Sequence, residues 1–136
     1  MPLEVPLKVP QKNVVDSSGW IEYFADGPNA GFFEAAIVDA SSLVVPSISI
    51  YEVFKRLLRE PNGEEAALHV VAAMQRGRVA NLDAELALDA AKTSFETKLP
   101  MADSVILATA HAYRATLWTQ DADFEGMAGV RYVEEH

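Results

Sequence analysis

Cysteine is absent from the sequence, which excludes disulfides, zinc–thiolate sites, iron–sulfur clusters and thiol nucleophiles. Long apolar runs are absent too: none reaches the roughly 18–20 residues that span a bilayer. The opening stretch MPLEVPLKVPQK carries Pro2, Pro6 and Pro10 and lacks the unbroken apolar core of a signal peptide. The expectation is a cytoplasmic protein with no membrane association. Positive charge is scarce: 11 Lys and Arg stand against 20 Asp and Glu, a formal net charge of −9. That balance argues against broad electrostatic capture of nucleic acid. It leaves two uses for the acids, a solvated shell or a cluster gathered around bound cations.

What is present is a chain of 136 residues, 50% of them hydrophobic. The length fits one domain, large enough to hide roughly two-thirds of the surface its unfolded chain exposes. Residues 1–12 read as an extended, Pro-containing leader, and residues 13–136 as the domain. Short apolar strands are expected at 13–16, 43–45, 116–119 and 130–133, with a brief strand or link near 78–81. Helical patterns fall at 17–24, 31–40, 47–60, 64–75, 83–98 and 101–115. The 47–60 helix has an apolar stripe of Ile50, Val53, Phe54, Leu57 and Leu58, and the 101–115 helix is apolar nearly all round. Strands alternating with helices predict a three-layer α/β/α fold with a mostly parallel central sheet. In such sheets the ligand site lies beyond the carboxyl ends of the strands.

Several acids fall at that edge. Asp16 ends the first strand, Asp121 and Asp123 follow the 116–119 strand, and Asp103 opens the apolar helix. Glu52 lies early in the helix after the second strand. Each has an ordinary alternative: Asp16 as a helix N-cap, Ser49 to Glu52 as a capping box, Asp103 as a helix-start acid, Asp121 and Asp123 as turn residues. Together they are harder to dismiss, because clustered carboxylates repel unless protons or cations neutralise them. No Lys or Arg lies within three residues of Asp16, Asp103 or Asp121, whereas Lys55 and Arg56 are placed to pair with Glu52. Mg²⁺ or Mn²⁺ suits such an oxygen-rich set and leaves positions open for phosphate.

Four segments then become recognisable in order: VVDSSGWIEYF, SISIYEV, LPMADSVILATA and LWTQDADF. On these the chain resembles the PIN domain family, and within it the VapC-type toxins of bacterial and archaeal toxin–antitoxin pairs. The resemblance implies a Mg²⁺- or Mn²⁺-dependent ribonuclease. Asp16, Glu52, Asp103 and Asp121 correspond to the family's acidic quartet, with Asp123 as an additional acid. Ser17 and Thr119 match polar positions that hydrogen-bond around the site. The family also implies a homodimer, and a cognate antitoxin that inhibits it and often brings a basic side chain to the acids. A chain at −9 is a natural acceptor for such a basic tail.

The implied chemistry is hydrolysis of an RNA phosphodiester, with one or two ions activating water and steadying the leaving oxygen. His69, His111 and His136 are scattered and read as structural or solvent-exposed. Lys55, Arg56 and Arg59 form a basic face on the Glu52 helix, a candidate for phosphate contacts. Trp20, Tyr23 and Phe24 read as core or dimer contacts ahead of base stacking. The main rival is a catalytically inactive PIN-like module that binds a partner protein, against which the intact acidic set argues. A receiver domain fits worse, because no Lys follows the late strand. A phosphatase of the Asp-nucleophile class fits worse too, because Asp16 is followed by Ser17-Ser18 and not by an Asp-x-Asp pattern.

Overall fold

The computed structural model describes residues 11–136. Its strands are β1 (Asn13–Val15), β2 (Val44–Pro46), β3 (Arg78–Ala80), β4 (Thr116–Thr119) and β5 (Val130–Tyr132). The helices are α1 (Ser17–Phe24), α2 (Ala30–Val38), α3 (Ser47–Leu57), α4 (Gly63–Met74), α5 (Ala84–Thr97) and α6 (Met101–Ala112). Strand β4 pairs with β1 and β5, and β2 pairs with β3. Each of these ladders is parallel. A single parallel bridge between Asn13 and Leu43 joins the two groups, giving the order β3-β2-β1-β4-β5.

Side chains on a strand alternate between the two faces of its sheet, and the core divides accordingly. Val14, Val44 and Leu117 pack with Leu99, Ile106, Leu107 and Ala110, on the side of α5 and α6. Their neighbours Val15, Val45 and Trp118 pack with Trp20, Phe33, Val53, Val70 and Met74, on the side of α1 to α4. Helices cover both faces, which is why these strands are apolar throughout instead of alternating with polar residues. The expected α/β/α sandwich is therefore what forms.

The elements follow the expected pattern, with differences at their ends. Helix α6 stops at Ala112 because Arg114 takes a left-handed φ of 52°. The Ala115 N–H then donates to the Ala110 carbonyl at 2.8 Å, a bond that closes a helix C-terminus. On α3, Val53 is fully buried, while Leu58, expected on the apolar stripe, is 48% exposed. Residues 1–10 of the expected leader lie outside the described residues. Gln11 and Lys12 already belong to the fold: the Gln11 side-chain amide donates to the Arg114 carbonyl at 3.0 Å, and the Thr116 N–H donates to the Lys12 carbonyl at 2.9 Å. Among the described residues, no helix is long and apolar enough to cross a membrane.

Candidate metal centre

The strand order reverses between β1 and β4: the chain leaves β1 towards β2 on one side and reaches β4 on the other. Such a switch point opens a crevice at the carboxyl edge of the sheet. Asp16 directly follows β1, Asp121 lies two residues beyond β4, and Asp103 sits in the first turn of α6.

Asp16 is buried and is also the N-cap of α1, so the ordinary reading and the functional one share one carboxylate. Its Oδ1 accepts from the Gly19 N–H at 2.9 Å and from the Ser18 hydroxyl at 3.1 Å. Its Oδ2 accepts from the Thr119 hydroxyl at 2.6 Å. Thr119 in turn accepts from the Asp121 N–H at 2.9 Å, so one hydroxyl ties the ends of β1 and β4 together. Burial pushes the Asp16 carboxyl up to about 6 from an ordinary 3.8. Its three donors oppose that rise, and the Asp121 charge adds to it.

Glu52 does not form the capping box that was its ordinary alternative. Helix α3 opens at Ser47, which leaves Ser49 inside the helix, fully buried, with its hydroxyl unpartnered. Glu52 Oε1 instead accepts from the Ser17 hydroxyl at 2.6 Å, across 35 residues of sequence. Neither Lys55 nor Arg56 pairs with it. Arg56 bridges Glu60 at 3.0 Å, and the Lys55 ammonium lies 5.6 Å from the centre of the Tyr51 ring.

Asp103 is where the acids converge. Its carboxyl is pushed up to about 6, first by burial and then by the charges of Asp121, Glu52, Asp16 and Asp123. One carboxylate oxygen from each of Asp103, Asp121 and Asp123 lies within 4.8 Å of the others. Asp121 also caps a short 3₁₀ turn by accepting from the Asp123 N–H at 2.9 Å. Asp16 and Glu52 stand outside that trio but act on it through Asp103. Among the described residues the one ion pair is Arg56–Glu60, so no side-chain cation neutralises the group. An all-oxygen, anionic, uncompensated set of this kind fits a hard divalent cation.

The other sequence candidates fall clearly. Lys55, Arg56 and Arg59 line a groove of about 530 Å³ that begins at Ser17 and Glu52. Trp20, Tyr23 and Phe24 belong to the core cluster on the α1 side. The three histidines are exposed and stand outside the acidic trio. Two contributors were missed from sequence. Ser18 carries no signal beyond its place beside Asp16, and the Gly19 amide becomes visible only once α1 is capped by Asp16.

Residues 14–130 match the family model described as the PIN domain. The chain belongs to the PIN domain family. Solved structures with this PIN fold include a toxin–antitoxin complex from Klebsiella pneumoniae, at 24% identity and a TM-score of 0.74 over 88% of this chain and 96% of that one. VapBC2 from Rickettsia felis, bound to a DNA fragment from its promoter, matches at 14% identity and a TM-score of 0.69, over 91% and 98% of the two chains. Mycobacterium tuberculosis VapC20, described as a sarcin–ricin loop cleaving toxin, matches at 18% identity and a TM-score of 0.70, over 86% and 95%. A comparison with curated proteins finds no match.

Proposed function

We propose that this PIN domain is a divalent-metal-dependent ribonuclease of the VapC toxin type, held inactive by a cognate antitoxin. The observation that carries the reading is the set of carboxylates at one sheet edge with no side-chain cation to balance them. The fold shared with toxin–antitoxin complexes and with a toxin described as cleaving the sarcin–ricin loop supports it.

In this reading Asp16, Glu52, Asp103 and Asp121, with Asp123 beside them, hold Mg²⁺ or Mn²⁺. Bound there, the ion would supply Lewis-acid stabilisation of charge on the phosphodiester and lower the pKa of a water. The chain's own contribution is to fix the ligands. Ser17 orients Glu52, while Thr119, Ser18 and the Gly19 amide lock the Asp16 carboxylate in one rotamer. Side chains with their own hydrogen-bonded supports hold a metal better than free ones. Asp103 gains most from the ion, since its neighbours' charges otherwise favour its protonated form.

A homodimer in the cytoplasm belongs to the same reading. Its support is apolar surface on α5 and at the start of α6, where Leu88, Phe95 and Met101 are all well exposed. Sedimentation of the purified chain and of a Phe95→Asp variant tests that part.

The nuclease reading is tested by incubating the partner-free protein with a mixed RNA pool in Mg²⁺, Mn²⁺ or excess EDTA. Cleavage in the metal arms alone is expected. A folded protein that cuts in no arm would instead fit the inactive, partner-binding module.

A further inference from the structure

Among the described residues, Tyr51 and Phe95 are the large aromatic side chains most open to solvent, and of the two Tyr51 lines the groove that starts at Glu52. It is 62% exposed, and the Lys55 ammonium approaches its ring to 5.6 Å from the centre. Tyr51, Lys55 and Arg59 follow one another at four-residue spacing, which sets them in a row along α3 and just past its end. The row runs away from the acids for about 12 Å at helical rise. Arg56 lines the same wall. Glu22 and Glu135 line the groove as well, and Glu22 is held by the Asn29 N–H at 2.7 Å. The groove therefore mixes a basic row on α3 with two carboxylates from elsewhere in the chain.

We infer that Tyr51 is a base-stacking platform for single-stranded RNA, with Lys55 and Arg59 on neighbouring phosphates, and that it selects unpaired substrate for the acidic centre. The inference rests on the ribonuclease reading and adds a residue to it. A phosphate chain is attracted to the α3 row and repelled by Glu22 and Glu135, which directs the bases towards the ring. A duplex keeps its base faces stacked internally and offers Tyr51 nothing to stack on, whereas single strands splay their bases onto aromatic side chains. Lys55 and Arg59 follow one another on one wall, a spacing that suits successive phosphates, while Glu22, Glu52 and Glu135 are the groups that would draw a basic peptide instead.

The test is fluorescence anisotropy of a labelled random-sequence RNA octamer, in EDTA and again in Ca²⁺, with a hairpin of the same composition and an arginine-rich peptide as parallel probes. Wild type is compared with Tyr51→Ala, Tyr51→Leu, Tyr51→Phe, Tyr51→Trp and Lys55→Ala, each checked for an unchanged melting curve. Loss of one stacked base predicts about 5- to 150-fold weaker octamer binding for the Ala and Leu variants. The Phe and Trp variants should stay within about twofold of wild type, since they keep the π-face. Lys55→Ala should flatten the salt slope by about 0.7, and the Tyr51 variants should leave it unchanged. In Mn²⁺, Tyr51→Leu should raise KM with kcat preserved.

Equal octamer binding by Tyr51→Leu and wild type overturns the inference. So does a Tyr51 variant that flattens the salt slope as Lys55→Ala does, since the ring would then only position Lys55. Hairpin binding as tight as octamer binding, Tyr51 dependence confined to the peptide, or no RNA binding in either buffer overturns it too. Tyr51-dependent binding without cleavage in Mn²⁺ would remove the nuclease reading and leave the stacking platform standing. Cleavage indifferent to Tyr51 would do the reverse.

Discussion

The Thr119 hydroxyl donates to Oδ2 of the buried Asp16 carboxylate at 2.6 Å, joining the ends of two adjacent parallel strands at the edge where the acids gather. Thr119→Val removes that donor and keeps the shape. At pH 7.5, where Asp16 is ionised, the loss should destabilise the fold by about 1–3 kcal/mol. At pH 4.5, where Asp16 is protonated, the loss should be smaller. Urea unfolding at both pH values checks this, and equal losses would show that the bond does not serve the charge.

The pH dependence of the metal-free protein has a defined sign. Asp16 and Asp103 are both raised from 3.8 to about 6, so the folded chain holds their protons more tightly than the unfolded one. Their contribution to stability is greatest below the unfolded value and is lost as pH rises from about 4 to about 6. For Asp16 the loss is on the order of 3 kcal/mol, and for the half-buried Asp103 it is smaller after solvent screening. Melting curves in EDTA between pH 4 and 7.5 should fall less steeply for Asp103→Asn than for wild type. Parallel curves would remove Asp103 from the coupled group.

Divalent metal should reverse that loss. Mn²⁺ at about 100 times its dissociation constant stabilises by about 2.7 kcal/mol, a rise of several degrees for a chain of this size. The rise should be largest above pH 6, where ligand and proton no longer compete. It should disappear in Asp103→Asn and Asp121→Asn. Ser17→Ala should keep the fold but weaken the metal effect by about 10- to 100-fold in affinity, because Glu52 loses its support. An undiminished rise in Asp103→Asn would point to a different site.

Gly19 links the site to the core. A Cβ there would lie 2.7 Å from both Phe33 Cε1 and Val15 Cγ1, and the same residue's amide holds Asp16. Gly19→Ala should destabilise by about 1–3 kcal/mol through overpacking. Thermal unfolding of the metal-free variant measures it, and a wild-type midpoint would mean that α1 shifts freely.

Much of this was legible in sequence, for physical reasons. Valine-rich strands buried on both faces and helices of 3.6-residue period mark themselves, so the layer order and the edge bearing Asp16, Asp103 and Asp121 follow from the chain. Local pattern was misleading where tertiary contacts win. Ser49 and Glu52 have the form of a capping box, but α3 starts three residues earlier than that box would place it and Glu52 turns to Ser17. Lys55 and Arg56 are near Glu52 in sequence yet engage Tyr51 and Glu60. The end of α6 depends on a left-handed arginine, which residue type does not announce. Tyr51 carries no signal in the sequence, because an aromatic next to a functional acid looks like any other helical residue until its exposure is known.

The most direct measurement is RNA cleavage in Mn²⁺ by partner-free wild type and by five single variants, Asp16→Asn, Glu52→Gln, Asp103→Asn, Asp121→Asn and Asp123→Asn, with Glu60→Gln as a surface control. Removing any member of the quartet should lower the rate by more than about a hundredfold while the chain stays folded, since each acts through the same bound ion. Asp123→Asn should lose less, and Glu60→Gln should match wild type. Wild-type cleavage in EDTA, or full activity in the Asp103→Asn variant, would contradict a metal-holding role for this acidic edge.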